Sequence, residues 1–291
     1  LLVGMCFVPE TPRWLLSKGR LKECRKVLQK IEPENTVNDL IGQMEVEIEK
    51  DRNSAVGWRY LMQPWLRTPL MIAVCIMFFQ QFVGINTVIY YSPKIFLMAG
   101  FESTLSAIWA SVGIGIVNVV FTVISLYLVD RIGRRKLYFI GLSGIAFSVL
   151  CLSACFIYAN QLGEIGRWLM VIFMFGYVAF FAISIGPLGW LVISEIFPQK
   201  VRGLGTSIGS LAVWIFNCIV SFTFFKIIDF FSIPGTEIVV GQTTSENPAG
   251  AFFLYGFIAV LGLVWGYLFL PETKGLSLEE IEQKWRKNRE C

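Results

Sequence analysis

The chain has 291 residues, of which 55% are hydrophobic and only 16% charged, with a formal net charge of +4 and no histidine. Its mean hydropathy of +0.63 excludes an ordinary soluble domain and points to an integral membrane protein. The basic residues sit in short segments beside apolar runs, which excludes a nucleic-acid-binding face, and the seven cysteines fall mostly in those runs or on their basic side, which excludes a disulfide framework.

The first eight residues, Leu1–Val8, read as the end of a preceding membrane helix, without the basic flank or cleavage site of a signal peptide. Pro9-Glu10-Thr11-Pro12-Arg13-Trp14 follows. Residues 9–66 are charged, with both signs interspersed, and Leu21, Cys24, Val27, Leu28 and Ile31 recur at helical spacing. The expectation is a set of short helices beneath the membrane, packed through that apolar face.

Six apolar segments then follow, each near the ~20 residues that cross a bilayer: Leu70–Tyr91, Leu105–Val129, Leu137–Ala159, Trp168–Ile193, Leu204–Ile228 and Ala251–Leu270. The fold class is therefore an all-α polytopic membrane protein, with a six-helix bundle over residues 67–270 and a tail over 271–291. Of the 25 lysines and arginines, all but Lys94, Arg167 and Lys226 lie on the side that holds the tail. By the positive-inside rule that side, with the C-terminus, is cytoplasmic.

The first span carries Gln80, Gln81 and Asn86, with Gly84 and Pro93 close by. Amides in a bilayer core are unfavourable unless something uses them, and a loosened helix is tolerated there only beside protein or a wet cavity. This is the pattern of a substrate-binding helix. The second span places Ser111, Gly115, Asn118, Thr122 and Ser125 on one face. Asn118 is read either as a ligand contact or as glue between helices. Asp130-Arg131-Ile132-Gly133-Arg134-Arg135-Lys136 forms the next loop, read either as a cytoplasmic anchor or as an ion-pair latch to Glu195 and Glu272.

The third span is small and apolar and is assigned to packing. In the fourth, Gly186-Pro187-Leu188-Gly189-Trp190 is expected to break the helix, as broken transporter helices do at sites and gates. Trp190 either stacks on a ligand or belongs to an interfacial belt. Glu195 and Arg202 flank the following turn. The fifth span carries Asn217 among Ser207, Ser210, Trp214 and Ser221, and Pro234–Gly250 is an external loop without a glycosylation sequon. Pro271-Glu272-Thr273 repeats the Pro-Glu-Thr seen at Pro9, an internal repeat one six-helix unit apart. It leads to the expectation of a preceding six-helix half. Ser277 is placed as the cap of a tail helix running to Glu282.

Taken in order, Pro9–Trp14, Gln80-Gln81 with Gly84-Ile85-Asn86 and Tyr90-Tyr91-Ser92, Asp130–Arg135, Gly186-Pro187 with Trp190, Glu195 with Arg202-Gly203, and Pro271–Gly275 resemble the sugar porter branch of the major facilitator superfamily over nearly the whole chain. The resemblance implies the C-terminal bundle of such a transporter with its helical linker, a monosaccharide as substrate, and no cofactor, metal or enzymatic step. It implies that Gln80, Gln81, Asn86, Asn118 and Trp190 contact the sugar, with Asn217 added as a further candidate. Tyr90 and Tyr91 match an external gate, joined by Gly186 and Pro187 at the helix break. Glu10, Arg13, Asp130, Arg131, Arg134, Arg135, Glu195, Arg202 and Glu272 match this half's share of a cytoplasmic latch. Ala182 and Val213 depart from residues that are polar in many members, which tilts the substrate towards a pentose. Proton-coupled symport is expected by analogy; the alternatives are facilitated uniport, a non-transporting sensor and an inactive half-length fragment.

Overall fold

In the computed structural model, residues 9–53, 58–101, 103–198, 201–232, 238–240 and 243–275 are described. Leu1–Val8, Lys200 and the expected tail helix at Leu276–Glu282 lie outside them. The chain divides into two compact units, with the boundary between Tyr60 and Leu61.

The first unit holds α1 (Pro12–Ser17), α2 (Leu21–Leu28) and α3 (Glu34–Asn53). Thr11 accepts from the Trp14 amide at the start of α1, and Pro12 occupies its first position, where a missing N–H is harmless. Leu15, Leu16, Cys24, Leu28, Val37 and Ile41 form the core, with Val27, Met44 and Ile48 against it. Leu21 and Ile31, expected on that face, are exposed, because each lies at or beyond an end of a helix of only 8 residues. Arg25 donates to Asn38 Oδ1 at 2.7 Å and ties α2 to α3.

Past α4 (Trp58–Leu61) and a 3₁₀ turn at Pro64–Leu66, the second unit contains six spans. The first is divided into α5 (Arg67–Phe82) and α6 (Ile85–Met98); α7 (Thr104–Ile132) and α8 (Arg134–Ile157) follow. The fourth is divided into α9 (Ala159–Ile183) and α10 (Ile185–Ile196). The last two are α11 (Arg202–Phe230) and α12 (Ala249–Phe269), joined by a loop that includes an antiparallel pair, β1 (Ile238–Val240) and β2 (Thr243–Ser245). Among the described residues this short hairpin is the one departure from the all-helical reading.

α8 packs against α12 and α9, α9 also packs against α7, and α5 packs against α11. Tyr138, Tyr177, Tyr255, Phe156 and Phe252 are fully enclosed, and the last two rings stack in parallel at 5.6 Å. Trp109, Ile116, Val119 and Tyr127 on α7 are exposed, as suits a surface solvated by hydrocarbon rather than water. Asn247, in the loop before α12, accepts from the Ala249 amide and donates to the Phe156 carbonyl at the end of α8.

Candidate functional site

Two interruptions in the spans create the site. At the first, Gly84 adopts φ +87, a left-handed conformation that strains any residue with a Cβ. A Cβ there would also lie 2.3 Å from the Tyr255 ring, so the position is closed to larger residues on both counts. The interruption frees carbonyls at the end of α5. The Tyr177 hydroxyl donates to Val83 O at 2.9 Å, and Thr87 Oγ1 donates to Gly84 O at 2.7 Å. Pro93 within α6 withholds a donor from Ile89 O, which accepts instead from the Ser92 hydroxyl at 3.4 Å.

The second interruption falls at Ser184 (φ −127, ψ −105), upstream of the Gly186–Trp190 stretch expected to carry it. Steric geometry accounts for the offset. The Pro187 ring clashes with the carbonyl four residues back, at Ile183, so α9 ends there while Pro187 itself sits comfortably in the first turn of α10.

The amides bridge the two interruptions. Asn86 Nδ2 donates to Gln81 Oε1 at 2.6 Å, and Gln81 Nε2 donates to Gln80 Oε1 at 3.2 Å. Gln80 Nε2 donates to the carbonyls of Gly186 at 2.7 Å and Ile185 at 3.1 Å. Gln80 and Gln81 are buried, and linked donation of this kind is what makes buried amides tolerable.

Beside them opens a cavity of about 350 Å³. Gln80, Gln81, Asn86, Asn118 and Trp190 line it, as do Gly186 and Pro187 from the predicted gate. Ala182 and Val213, the two departures noted in the sequence, also line it. Thr122, Phe181, Ile85 and Ile89 complete the wall. Thr122 was legible in the polar stripe of the second span; the other three are apolar residues that carry no periodicity signal of their own. Asn118 is half-buried, and its side chain has no hydrogen-bond partner among the described residues. Trp190 is 45% exposed.

Three predicted residues lie elsewhere. Asn217 is not among the residues lining the cavity; it donates to the Tyr90 hydroxyl at 3.3 Å and accepts from Ser221 Oγ at 3.0 Å. Tyr91 donates to the Ser221 carbonyl at 3.4 Å and stacks on Phe224 at 5.4 Å. Both tyrosines thus fasten α6 to α11 beside the cavity. Thr87, Tyr177 and Tyr255, which support the first interruption, were not singled out in the sequence.

At the other end of the unit, Arg134 Nη2 lies 2.8 Å from Glu195 Oε1 and 3.4 Å from Asp130 Oδ1. The second oxygen of Glu195 accepts from the Thr273 hydroxyl at 2.5 Å. Glu272 accepts from the backbone amides of Arg134, Arg135, Thr273 and Lys274 at 3.0–3.1 Å. Its carboxylate therefore caps the electropositive N-terminus of α8. Arg135 donates to Tyr267 O, and Lys274 donates to Arg131 O. Arg202 stands apart at the start of α11, with Nε and Nη2 buried and without a hydrogen-bond partner among the described residues. Glu10 and Arg13 belong to the first unit, where both are exposed.

The sequence pattern described as "Sugar (and other) transporter" matches residues 1–285. The chain belongs to this family. Among its relatives, the probable metabolite transport protein CsbC of Bacillus subtilis is 35% identical over 99% of the chain, and the glucose transporter GlcP of Staphylococcus epidermidis is 36% identical over 98%. The D-xylose-proton symporter of Escherichia coli is 34% identical over 96%. A solved structure of the proton:xylose symporter XylE, bound to 6-bromo-6-deoxy-D-glucose, superposes with a TM-score of 0.72 at 33% identity and 98% coverage. These relatives are longer: the chain spans 58% of CsbC, 59% of GlcP and 56% of the XylE chain. With this kinship, the six apolar helices are those of an integral membrane protein of the major facilitator type.

Proposed function

We propose that this chain supplies the C-terminal bundle and helical linker of a transporter that moves a monosaccharide across the cell membrane by alternating access, coupled to protons. The observation that carries the reading is the cavity itself: three amides, a free asparagine and a half-exposed tryptophan converge on one space between two interrupted spans. Amides donate and accept as vicinal hydroxyls do, and an indole face covers the C–H face of a sugar ring. The missing wall is a preceding six-helix half, an idea supported by the repeated Pro-Glu-Thr motif and by the greater length of the relatives. The distribution of basic residues supports a cytoplasmic C-terminus.

Facilitated uniport is the second reading. Asp130, Glu164, Glu195 and Asp229 all lie near ends of spans, so a proton carrier would come from the other half. A relative named glucose facilitated diffusion protein, from Zymomonas mobilis, is as similar as the xylose-proton symporter, at 34% identity each.

The test is uptake of labelled D-glucose and D-xylose into transporter-null cells, with and without a preceding six-helix half supplied from a relative. Uptake of one sugar that collapses with the proton gradient supports symport, and uptake indifferent to the gradient supports uniport. Absence of uptake of any monosaccharide with both halves present in the membrane would overturn the transporter reading. Gln81→Ala is expected to abolish uptake while leaving membrane insertion intact.

A further inference from the structure

We infer that Gln80 fixes the direction of the amide chain, and thereby leaves Asn86 Oδ1 as the acceptor to which a ligand hydroxyl donates. The inference rests on the monosaccharide reading above and adds to it a direction for one hydrogen bond. A primary amide has a donor end and an acceptor end, and either could face a given neighbour. Gln80 has no such freedom, since its partners on α10 are the carbonyls of Ile185 and Gly186, which only accept. Both of its amide hydrogens are committed there.

The constraint then passes along the chain of amides. Gln80 must turn its oxygen to Gln81, so Gln81 must present Nε2 to it, at 3.2 Å. Gln81 in turn offers Oε1 to Asn86, which must answer with Nδ2, at 2.6 Å. That leaves Asn86 Oδ1, on a half-buried residue in the cavity wall, with no donor among the described residues. An acceptor in the wall of a binding cavity is satisfied by a ligand O–H and opposed by a lone pair. Asn118 on α7 has no side-chain hydrogen-bond partner among the described residues, so its amide can turn to suit either polarity. It adds a contact but imposes no direction. Gly189 makes room for the arrangement: a Cβ there would lie 2.9 Å from Gln80 Nε2.

Gln80 thus acts on the ligand through Gln81 and Asn86, besides lining the cavity itself. The experiment uses the whole protein that carries this chain, purified in lipid nanodiscs. Equilibrium binding is measured for D-glucose, D-xylose, and the monodeoxy and monodeoxyfluoro series of whichever sugar binds. Fluorine retains some acceptor character but cannot donate. At one ring position the deoxy and deoxyfluoro analogues should lose affinity equally, by about tenfold.

Gln80→Glu supplies a readout that a packing role would not move. An ionised carboxylate only accepts, so it faces the two carbonyls without a donor, and binding should fall by about tenfold at neutral pH. A protonated carboxyl restores one donor towards α10 and keeps an acceptor for Gln81. Relative to the unsubstituted protein, affinity should therefore recover as pH falls, whereas Gln80→Leu should stay weak throughout. If deoxyfluoro sugars bind as well as their parents at every position, or if Gln80→Glu shows no recovery, the polarity assignment is overturned and the sugar reading survives. If neither sugar binds a protein shown to be folded by its cooperative thermal unfolding, both fall.

Discussion

Replacing Gly84 by alanine isolates what holds the first interruption in place. Two terms oppose the substitution. A residue with a Cβ held at φ +87 costs about 1–2 kcal/mol relative to glycine. The new methyl would also lie 2.3–2.6 Å from three carbons of the enclosed Tyr255 ring, and overpacking of this kind costs about 1–3 kcal/mol. The expected loss is therefore about 2–5 kcal/mol. The assay is reversible unfolding of the membrane protein in mixed micelles, with Tyr255→Ala as a second background. Without the ring, Gly84→Ala should cost only the backbone share of about 1–2 kcal/mol. Gly84→Asn, which relieves the backbone share but keeps a Cβ, should retain the packing share. Equal losses for Gly84→Ala in the two backgrounds would refute the packing argument, and no loss in either would refute the whole account.

Tyr177→Phe removes the hydroxyl that satisfies Val83 O; unfolding should show a loss of about 1–3 kcal/mol, and sugar affinity should weaken with it. Glu272→Ala uncaps α8 and frees four backbone amides; a loss of about 1–2 kcal/mol is expected, with faster hydrogen exchange at Arg134 and Arg135 as the site-specific check. Cys24 is fully enclosed, and burial raises its thiol above the ordinary range. The thiolate, which is the reactive form, is thus withheld; peptide mapping after maleimide treatment at neutral pH should find Cys24 unlabelled until denaturant is added.

The spans were legible because twenty apolar residues in a row have few other uses, and the expected and observed ends differ by only a few residues over most of them. The first helix interruption was legible as a glycine among buried amides. The second was displaced to Ser184, because a proline acts on the carbonyl four residues earlier rather than on its own position. The convergence of Gln80, Gln81, Asn86, Asn118 and Trp190 came from matching motifs along the chain. What escaped was the support beneath them. Tyr177 and Tyr255 look like ordinary membrane aromatics, and their hydroxyl partners, Val83 O and Thr87, lie 94 and 168 residues away in sequence. No local pattern encodes a contact across such a distance.

The residues after the last span also bear on biosynthesis. Glu195 and the start of α8 are both completed by Glu272 and Thr273, which leave the ribosome after all six spans. Until then, Arg134 can meet Glu195, but the first amides of α8 have no carboxylate and the second oxygen of Glu195 has no hydroxyl. This end of the bundle therefore cannot finish assembling span by span. A nascent chain stopped before Pro271 would carry these six spans yet expose an open helix end to the quality-control machinery, so that two polar residues, Glu272 and Thr273, mark the difference between an inserted bundle and a finished one.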